Sequence, residues 1–362
     1  MNTLYCCPFD TSIPTGKNRA TRHKIQALKE ISESAFIIVP NKIERRFSRV
    51  FTGFFCEARC VVAILIKNKK IDYYISRGDV GIISVPLAKS FGIVTMREIH
   101  CGPFEELKLL RKPKLVKAYL KLILLYSFIV NKIADIRIYN NPMLKEHFIE
   151  EGWGSENDIV SYNGGSPDAV VSIDKETAME KYQLDTSFKY LVFVGSTTKW
   201  RGIDLLVDLQ KEFDKYGDNI KVLCAGGKVT KDMDPDGRVI NVSPLDDIGC
   251  AEIIKCADAC LLPVADNRVS PGSPLKLYDY MINGRSIIAQ RDMPGYSDET
   301  EQYNVGITVD FYNSEEARKL IVDFINEESR LEFFSNNAVS SFADYSWVSR
   351  VKAWFEDSSR AV

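Results

Sequence analysis

The sequence predicts an α/β protein built from two doubly wound domains, each a parallel sheet with helices on both faces. Three observations lead there. Short β-branched or apolar runs alternate with longer amphipathic stretches from one end to the other. The alternation passes through six strands, pauses at the turn-rich stretch NGGSPDAVVSIDKETAMEKYQLDTSFK, and then starts again for six more. At 362 residues, the chain exceeds what one core of ordinary size needs.

In the first series the strand candidates are TLYCCPF (3–9), AFIIVP (35–40), DYYIS (72–76), GIVTMREI (92–99), DIRIYN (135–140) and DIVSYN (158–163). Between them lie amphipathic stretches such as NRATRHKIQALKEI and EARCVVAILIKNK. The second series is YLVFVG (190–195), KVLCAGG (221–227), RVINVS (238–243), ACLLPV (259–264), RSIIAQ (285–290) and GITVDF (306–311). Strands that alternate with helices pair in parallel, and ligands of such sheets bind beyond the carboxyl ends of the strands. Function is therefore expected in strand-to-helix loops, with two sheets facing across one cleft.

Residues 1–165 hold 25 Lys and Arg against 16 Asp and Glu, whereas the remainder holds 22 against 33. The basic half suits an anionic surface or substrate. Nine cysteines form no CxxC pair. Cys56/Cys60 and Cys256/Cys260 are spaced i, i+4, as on one helix face, and the three histidines show no metal-ligand spacing. Thiols that pack in a reducing compartment are the expectation, with no metal and no cofactor. MNTLYCCPFDTS lacks the basic-then-apolar pattern of a secretion signal, and no uncharged apolar run reaches 18 residues. A cytoplasmic protein is expected, with no nucleic-acid partner.

Five stretches carry candidate chemistry. In SPGSPLKLYDYM (270–281), Ser273 is a candidate N-cap and Pro274 a candidate first helical residue. The free amides of Leu275 and Lys276 would then favour an anion. Gly272 allows close backbone approach, and Asp279, on the face of Lys276 and Leu275, would accept from a ribose diol. A plain capped helix with an i, i+3 salt bridge fits the same letters. In YLVFVGSTTKWRGIDLLVDL (190–209) a strand ends at Gly195, and Lys199 and Arg201 stand in the loop before the next helix. They would serve an anion or lie as solvated surface charge. Gly16 and Lys17 end the first βα loop, where an ordinary turn is the alternative. His100 falls at a strand end before a Gly–Pro turn, placed either for substrate or for structure. Arg111, Lys114, Lys117 and Lys121 line one face of 108–132, which suits either an anionic membrane surface or plain solvation.

Together these stretches resemble the family-4 retaining glycosyltransferases of GT-B fold. VGSTTKWRGIDLLVDL is similar to the family's strand, Gly, Arg/Lys-Gly segment, and ADACLLPVADNRVSPGSPLKLYDYMINGRSIIAQ to its SPLKLxEYMxxGxxIIA signature. PTGKNRATRHKIQAL resembles its glycine loop, REIHCG its Glu-x-His strand end, and SYNGGSPD its Asn-Gly turn before the linker. YSWVSRVKAWF resembles the terminal helix that crosses back in GT-B proteins. The resemblance implies Rossmann-like domains at 1–168, on the acceptor side, and 169–344, binding the nucleotide sugar, with a terminal helix at 345–362.

It further implies a nucleotide diphospho-sugar donor, a UDP-sugar before a GDP-sugar, and a glycan or lipid-linked acceptor of polysaccharide biosynthesis. The protein would work at the inner face of the plasma membrane, without metal. Asp279 stands at the ribose-binding Glu, and Arg201 at a cation that would neutralise the leaving diphosphate together with Lys276. Gly16 and Lys17 would approach that diphosphate, as would the loop of Gly195, Ser196 and Lys199 and the turn of Gly272, Ser273 and Leu275. His100 would sit near the donor sugar. Two departures are visible: Ser196 replaces a second Arg, and Pro271 a sugar-contacting Glu. They keep a non-catalytic nucleotide- or glycan-binding protein in view, beside a nucleotide-sugar epimerase of the same fold.

Overall fold

A computed structural model describes residues 1–13, 15–44, 49–78, 80–101, 114–198, 201–243, 245–265 and 270–361. The chain divides into two compact units: Met1–Asn163 with Trp347–Val362, and Gly164–Ser346.

Unit 1 runs β1 (Asn2–Cys6), α1 (Gly16–Ile31), β2 (Ser34–Ile38), α2 (Arg49–Lys67), β3 (Tyr73–Arg77), α3 (Ser84–Ser90), β4 (Val94–Ile99), α4 (Lys114–Ile133), β5 (Ile136–Tyr139), α5 (Pro142–Glu150) and β6 (Ile159–Val160). All six strands are parallel, in the order β2-β1-β3-β4-β5-β6. Helices cover both faces, so Leu4, Tyr5 and Cys6 are buried in succession rather than alternately. Thr15 caps α1 by accepting from the Asn18 amide at 3.3 Å, so Gly16 and Lys17 are its first two residues and not a loop. The side chain of Lys17 lies outside the described residues.

Unit 2 runs α6 (Lys175–Lys181), β7 (Lys189–Gly195), α7 (Ile203–Tyr216), β8 (Ile220–Gly226), β9 (Ile240–Val242), α8 (Asp247–Cys256), β10 (Ala259–Leu262), α9 (Leu275–Ile282), β11 (Ile287–Gln290), α10 (Ser297–Gln302), β12 (Gly306–Val309), α11 (Ser314–Ile325), α12 (Glu328–Ser340) and α13 (Phe342–Tyr345). Its parallel strands lie in the order β12-β11-β10-β7-β8-β9, with an apolar core on each face. All twelve strands overlap the runs that predicted them, ten of them to within two residues at each end, while β1 and β6 stop three residues short. One spacing argument fails: Cys256 ends α8 and Cys260 is in β10, so the pair shares no helix face. Cys56 and Cys60 do share α2, and none of the nine cysteines is in a disulfide.

The last helix, α14 (Trp347–Ala361), belongs to unit 1, where it packs on α1, β5 and β6. The Trp354 indole donates to Ser161 Oγ at 2.8 Å, and Phe355 meets Tyr73 edge-on. The chain thus passes from unit 1 to unit 2 and back, and the two passages lie side by side. Gly165 bridges to Ser346, and its amide donates to Tyr345 O at 2.9 Å. Only glycine fits there, because a Cβ would stand 2.7 Å from the Tyr345 ring. No helix among the described residues is long and apolar enough to cross a membrane.

Candidate functional site

In unit 2 the strand order reverses between β7 and β10, and the loops that follow these two strands meet. A Cβ on Gly202 would lie 3.1 Å from Pro263 Cβ. The loop after β8 closes a third side. Gly227 donates to Gly195 O at 2.9 Å, and a Cβ on it would stand 2.7 Å from that oxygen and 2.8 Å from Thr197 N. Backbone therefore forms the floor, and a side chain at Gly227 would fill it.

Over this floor stands the start of α9. Ser273 is not its cap. Pro274 occupies the N-cap with φ -78° and ψ 121° and offers no side-chain hydrogen bond. The Ser273 hydroxyl instead turns inward, 3.3 Å from Tyr278 Oη, which donates to Glu299 at 2.6 Å. The first amides of α9 thus receive no side-chain cap, which leaves them for an anion. Gly272, at φ +73°, makes the preceding turn. Leu275 and Asp279 are half-buried, four residues apart on one side of the helix.

Lys276 is the unusual residue. Its side chain reaches the Phe193 ring, with Nζ 3.7 Å from the centroid, and only 8% of the residue is exposed. Nζ is buried without a hydrogen-bond partner, so the i, i+3 salt bridge to Asp279 does not form. Burial, followed by the nearby charge of Arg201, pushes the amine well below the usual lysine range. Arg201 is held by its amide on Thr198 O at 2.8 Å, just before the left-handed Gly202 that opens α7. Ser196 Oγ lies 3.4 Å from Thr198 Oγ1, and Lys199 lies outside the described residues. The described parts are a buried amine, a neighbouring arginine, uncapped amides and a glycine floor. Such a set is built for a polyanion.

In unit 1 the order reverses between β1 and β3, and again the loops meet: a Cβ on Gly78 would stand 2.7 Å from Phe9. Beside this point His100, 21% exposed, ends in a buried charge cluster. Glu98 Oε1 takes His100 Nε2, Lys24 Nζ and, at 3.3 Å, Arg77 Nη1, while Tyr5 donates to Oε2 at 3.0 Å. Lys24 Nζ also lies 3.1 Å from His100 Nε2 and over the rings of Trp347 and Trp354. Burial, then the charges of Arg77 and Lys24, lower His100 to about 3. The ring is therefore neutral. A carboxylate only accepts, so Nε2 carries the proton that faces Glu98. An imidazole so tuned is a poor base and no acid near neutrality.

Sequence reasoning missed Tyr5, Lys24, Arg77 and Glu98. A signal was present: Lys24 shares the buried α1 face with Ala20, Ala27 and Leu28, and Arg77 and Glu98 are charges inside buried parallel strands. Charges so placed must pair. The 108–132 stripe falls partly outside the described residues, which exclude Arg111 and the side chains of Lys114 and Lys117; Lys121 is exposed.

Residues 174–340 match the family model for glycosyl transferases group 1. This stretch is similar to a group 1 glycosyl transferase domain. It takes in nearly all of unit 2, including Gly195, Arg201, Gly272, Lys276 and Asp279. No curated protein matches the chain. Solved structures do, over nearly full length. A glycosyltransferase from Rickettsia africae aligns at TM-score 0.68 and 15% identity, covering 99% of this chain and 98% of that one. Anabaena Alr3699/HepE in complex with UDP-glucose aligns at 0.64 and 13%, covering 99% and 100%. WaaG, a glycosyltransferase of lipopolysaccharide biosynthesis, aligns at 0.63 and 12%, covering 98% of each chain. At these identities the likeness carries the fold alone: two Rossmann-like domains of GT-B type.

Proposed function

We propose that the protein is a retaining, metal-independent glycosyltransferase. It would move a sugar from a nucleotide diphospho-sugar, a UDP-sugar before a GDP-sugar, to a glycan or lipid-linked glycan in polysaccharide biosynthesis. The observation that carries this reading is Lys276, an unpartnered buried amine at the uncapped start of α9, beside Arg201. The group 1 match supports glycosyl transfer, and the UDP-glucose complex of HepE supports a UDP-sugar donor. A cytoplasmic site of action at the membrane face, with contact through 108–132, completes the proposal.

Cleavage of the bond between the anomeric carbon and the diphosphate leaves negative charge on phosphate. Arg201, Lys276 and the α9 amides are aimed at that charge, which is electrostatic preorganisation. Gly195, Ser196, Gly272, Ser273 and Leu275 let backbone approach the phosphates, Lys199 adds a charge, and Asp279 accepts from the ribose. From unit 1, Gly16 and Lys17 are assigned to the diphosphate and His100 to a sugar hydroxyl. The new bond forms between the acceptor oxygen and the anomeric carbon on the face the phosphate leaves. The acceptor proton goes to a phosphate oxygen, a better base than an imidazole held at about 3.

A panel of UDP- and GDP-sugars tested by thermal shift identifies the donor, since a ligand of the native state raises its stability. Release of nucleotide diphosphate with a membrane lipid extract then tests turnover. Arg201→Ala and Asp279→Ala should each lose about 100-fold or more in kcat/KM while the fold survives. Absence of both binding and release defeats the proposal, and binding without release transfers it to a non-catalytic nucleotide-binding protein.

A further inference from the structure

Unit 1 carries an apolar surface that its own core does not use. On α2, Phe51, Phe54, Val62, Leu65 and Ile66 are all more than half exposed, Ile66 at 75%. Their spacing puts them on one stripe, opposite Cys56, Cys60 and Ile64, which face the core. On α4, Leu122, Leu125 and Ile129 are exposed at i, i+3, i+7. Ile82 and Ile83 stand between the two helices. The Ile83 amide donates to Glu57 of α2 at 2.8 Å and the Ile82 amide to Tyr126 of α4 at 3.2 Å, and both isoleucines are exposed.

Charge says what covers this surface. The segments 49–70 and 114–133 hold nine Lys and Arg and one carboxylate, Glu57. That carboxylate is buried and taken up by the amides of Gly81, Ile83 and Ser84. An apolar stripe on segments rich in cations, with Glu57 their one carboxylate and that one buried, complements an interface that is anionic at its rim and apolar within. A second copy of this surface would set cation against cation.

We propose that α2, the Ile82–Ile83 turn and α4 insert shallowly into an anionic lipid bilayer, with α2 as the apolar anchor. This names α2, outside 108–132, as the main attachment, and it rests on the membrane contact proposed above.

The test is sedimentation of the purified full chain with vesicles of phosphatidylcholine, pure or with about one-quarter phosphatidylglycerol. The wild type should favour the anionic vesicles at least about tenfold. F54D/I66D, changed only at exposed positions, should lose about 100-fold of that binding. Undiminished binding by F54D/I66D overturns the proposal, and so does a wild type that ignores both vesicles. A wild-type dimer that F54D/I66D makes monomeric, with vesicle binding unchanged, also overturns it and gives the surface to a second copy. Thermal shift by the UDP-sugar panel is read on both proteins. If no sugar nucleotide binds while vesicle binding behaves as expected, the donor reading falls and the membrane surface stands.

Discussion

His100 makes the stability of unit 1 depend on pH, with a sign fixed by its burial and by the cations beside it. The folded ring titrates at about 3, against about 6.5 for an unfolded histidine. Below about 6.5 the unfolded chain takes up a proton that the folded chain refuses. The stabilisation is therefore complete above the unfolded value and is lost as pH falls towards the folded one. At about 1.4 kcal/mol per unit, the 1.5 units down to about pH 5 remove ~2 kcal/mol. A urea midpoint should fall by about 1 M. Tryptophan fluorescence reports the transition well, since Trp153, Trp347 and Trp354 all belong to unit 1. His100→Gln keeps a donor for Glu98 without ionising, and His23 and His147 remain in both proteins. The difference between wild type and His100→Gln, measured at about pH 7.5 and about pH 5, therefore isolates one ring. Equal losses in the two proteins would refute the claim that burial, with the charges of Arg77 and Lys24, holds it neutral against Glu98.

Lys276→Met should raise the melting temperature, by about 1–2 kcal/mol of added stability, because an apolar chain replaces a buried amine without a partner. The same variant should lose the thermal shift with sugar nucleotide, and a variant that still binds donor would remove Lys276 from the site. In the wild type, donor binding should take up a proton as the amine gains a counter-charge. Above the free amine's depressed value, affinity should then weaken up to about tenfold per pH unit, which calorimetry in buffers of different ionisation heat will show. Gly227→Ala should cost about 1–3 kcal/mol and displace the loop after β7, since its methyl would press on Gly195 O and Thr197 N. Retention of both stability and donor binding in that variant would contradict the packed glycine floor.

The strands were legible because both sheets are covered on both faces, which makes each strand a near-continuous apolar run. α9 was legible as a helix but not in its capping. The hydroxyl of Ser273 is claimed by Tyr278, which is itself tied to Glu299, a residue two elements further on. Spacing rules within one helix cannot register that competition. Lys276 shows the same limit from the other side. An i, i+3 partner was available in Asp279, and the side chain went to Phe193, eighty-three positions earlier in the chain. The cluster around Glu98 joins β1, α1, β3 and β4, so no local stretch holds more than two of its members.

The return of α14 to unit 1 has a consequence for synthesis on the ribosome. Unit 1 is begun first and finished last, because the roughly 180 residues of unit 2 are made between Asn163 and Trp347. At about 5–20 residues per second, that is a delay of ~10–40 s. Throughout it, the face of α1, β5 and β6 that Trp354 and Phe355 will cover stays open, and Lys24 has no indole above it. The nascent first half thus keeps this apolar face exposed, and prone to wrong contacts, until α14 is made. A chain truncated before Trp347 would keep it open.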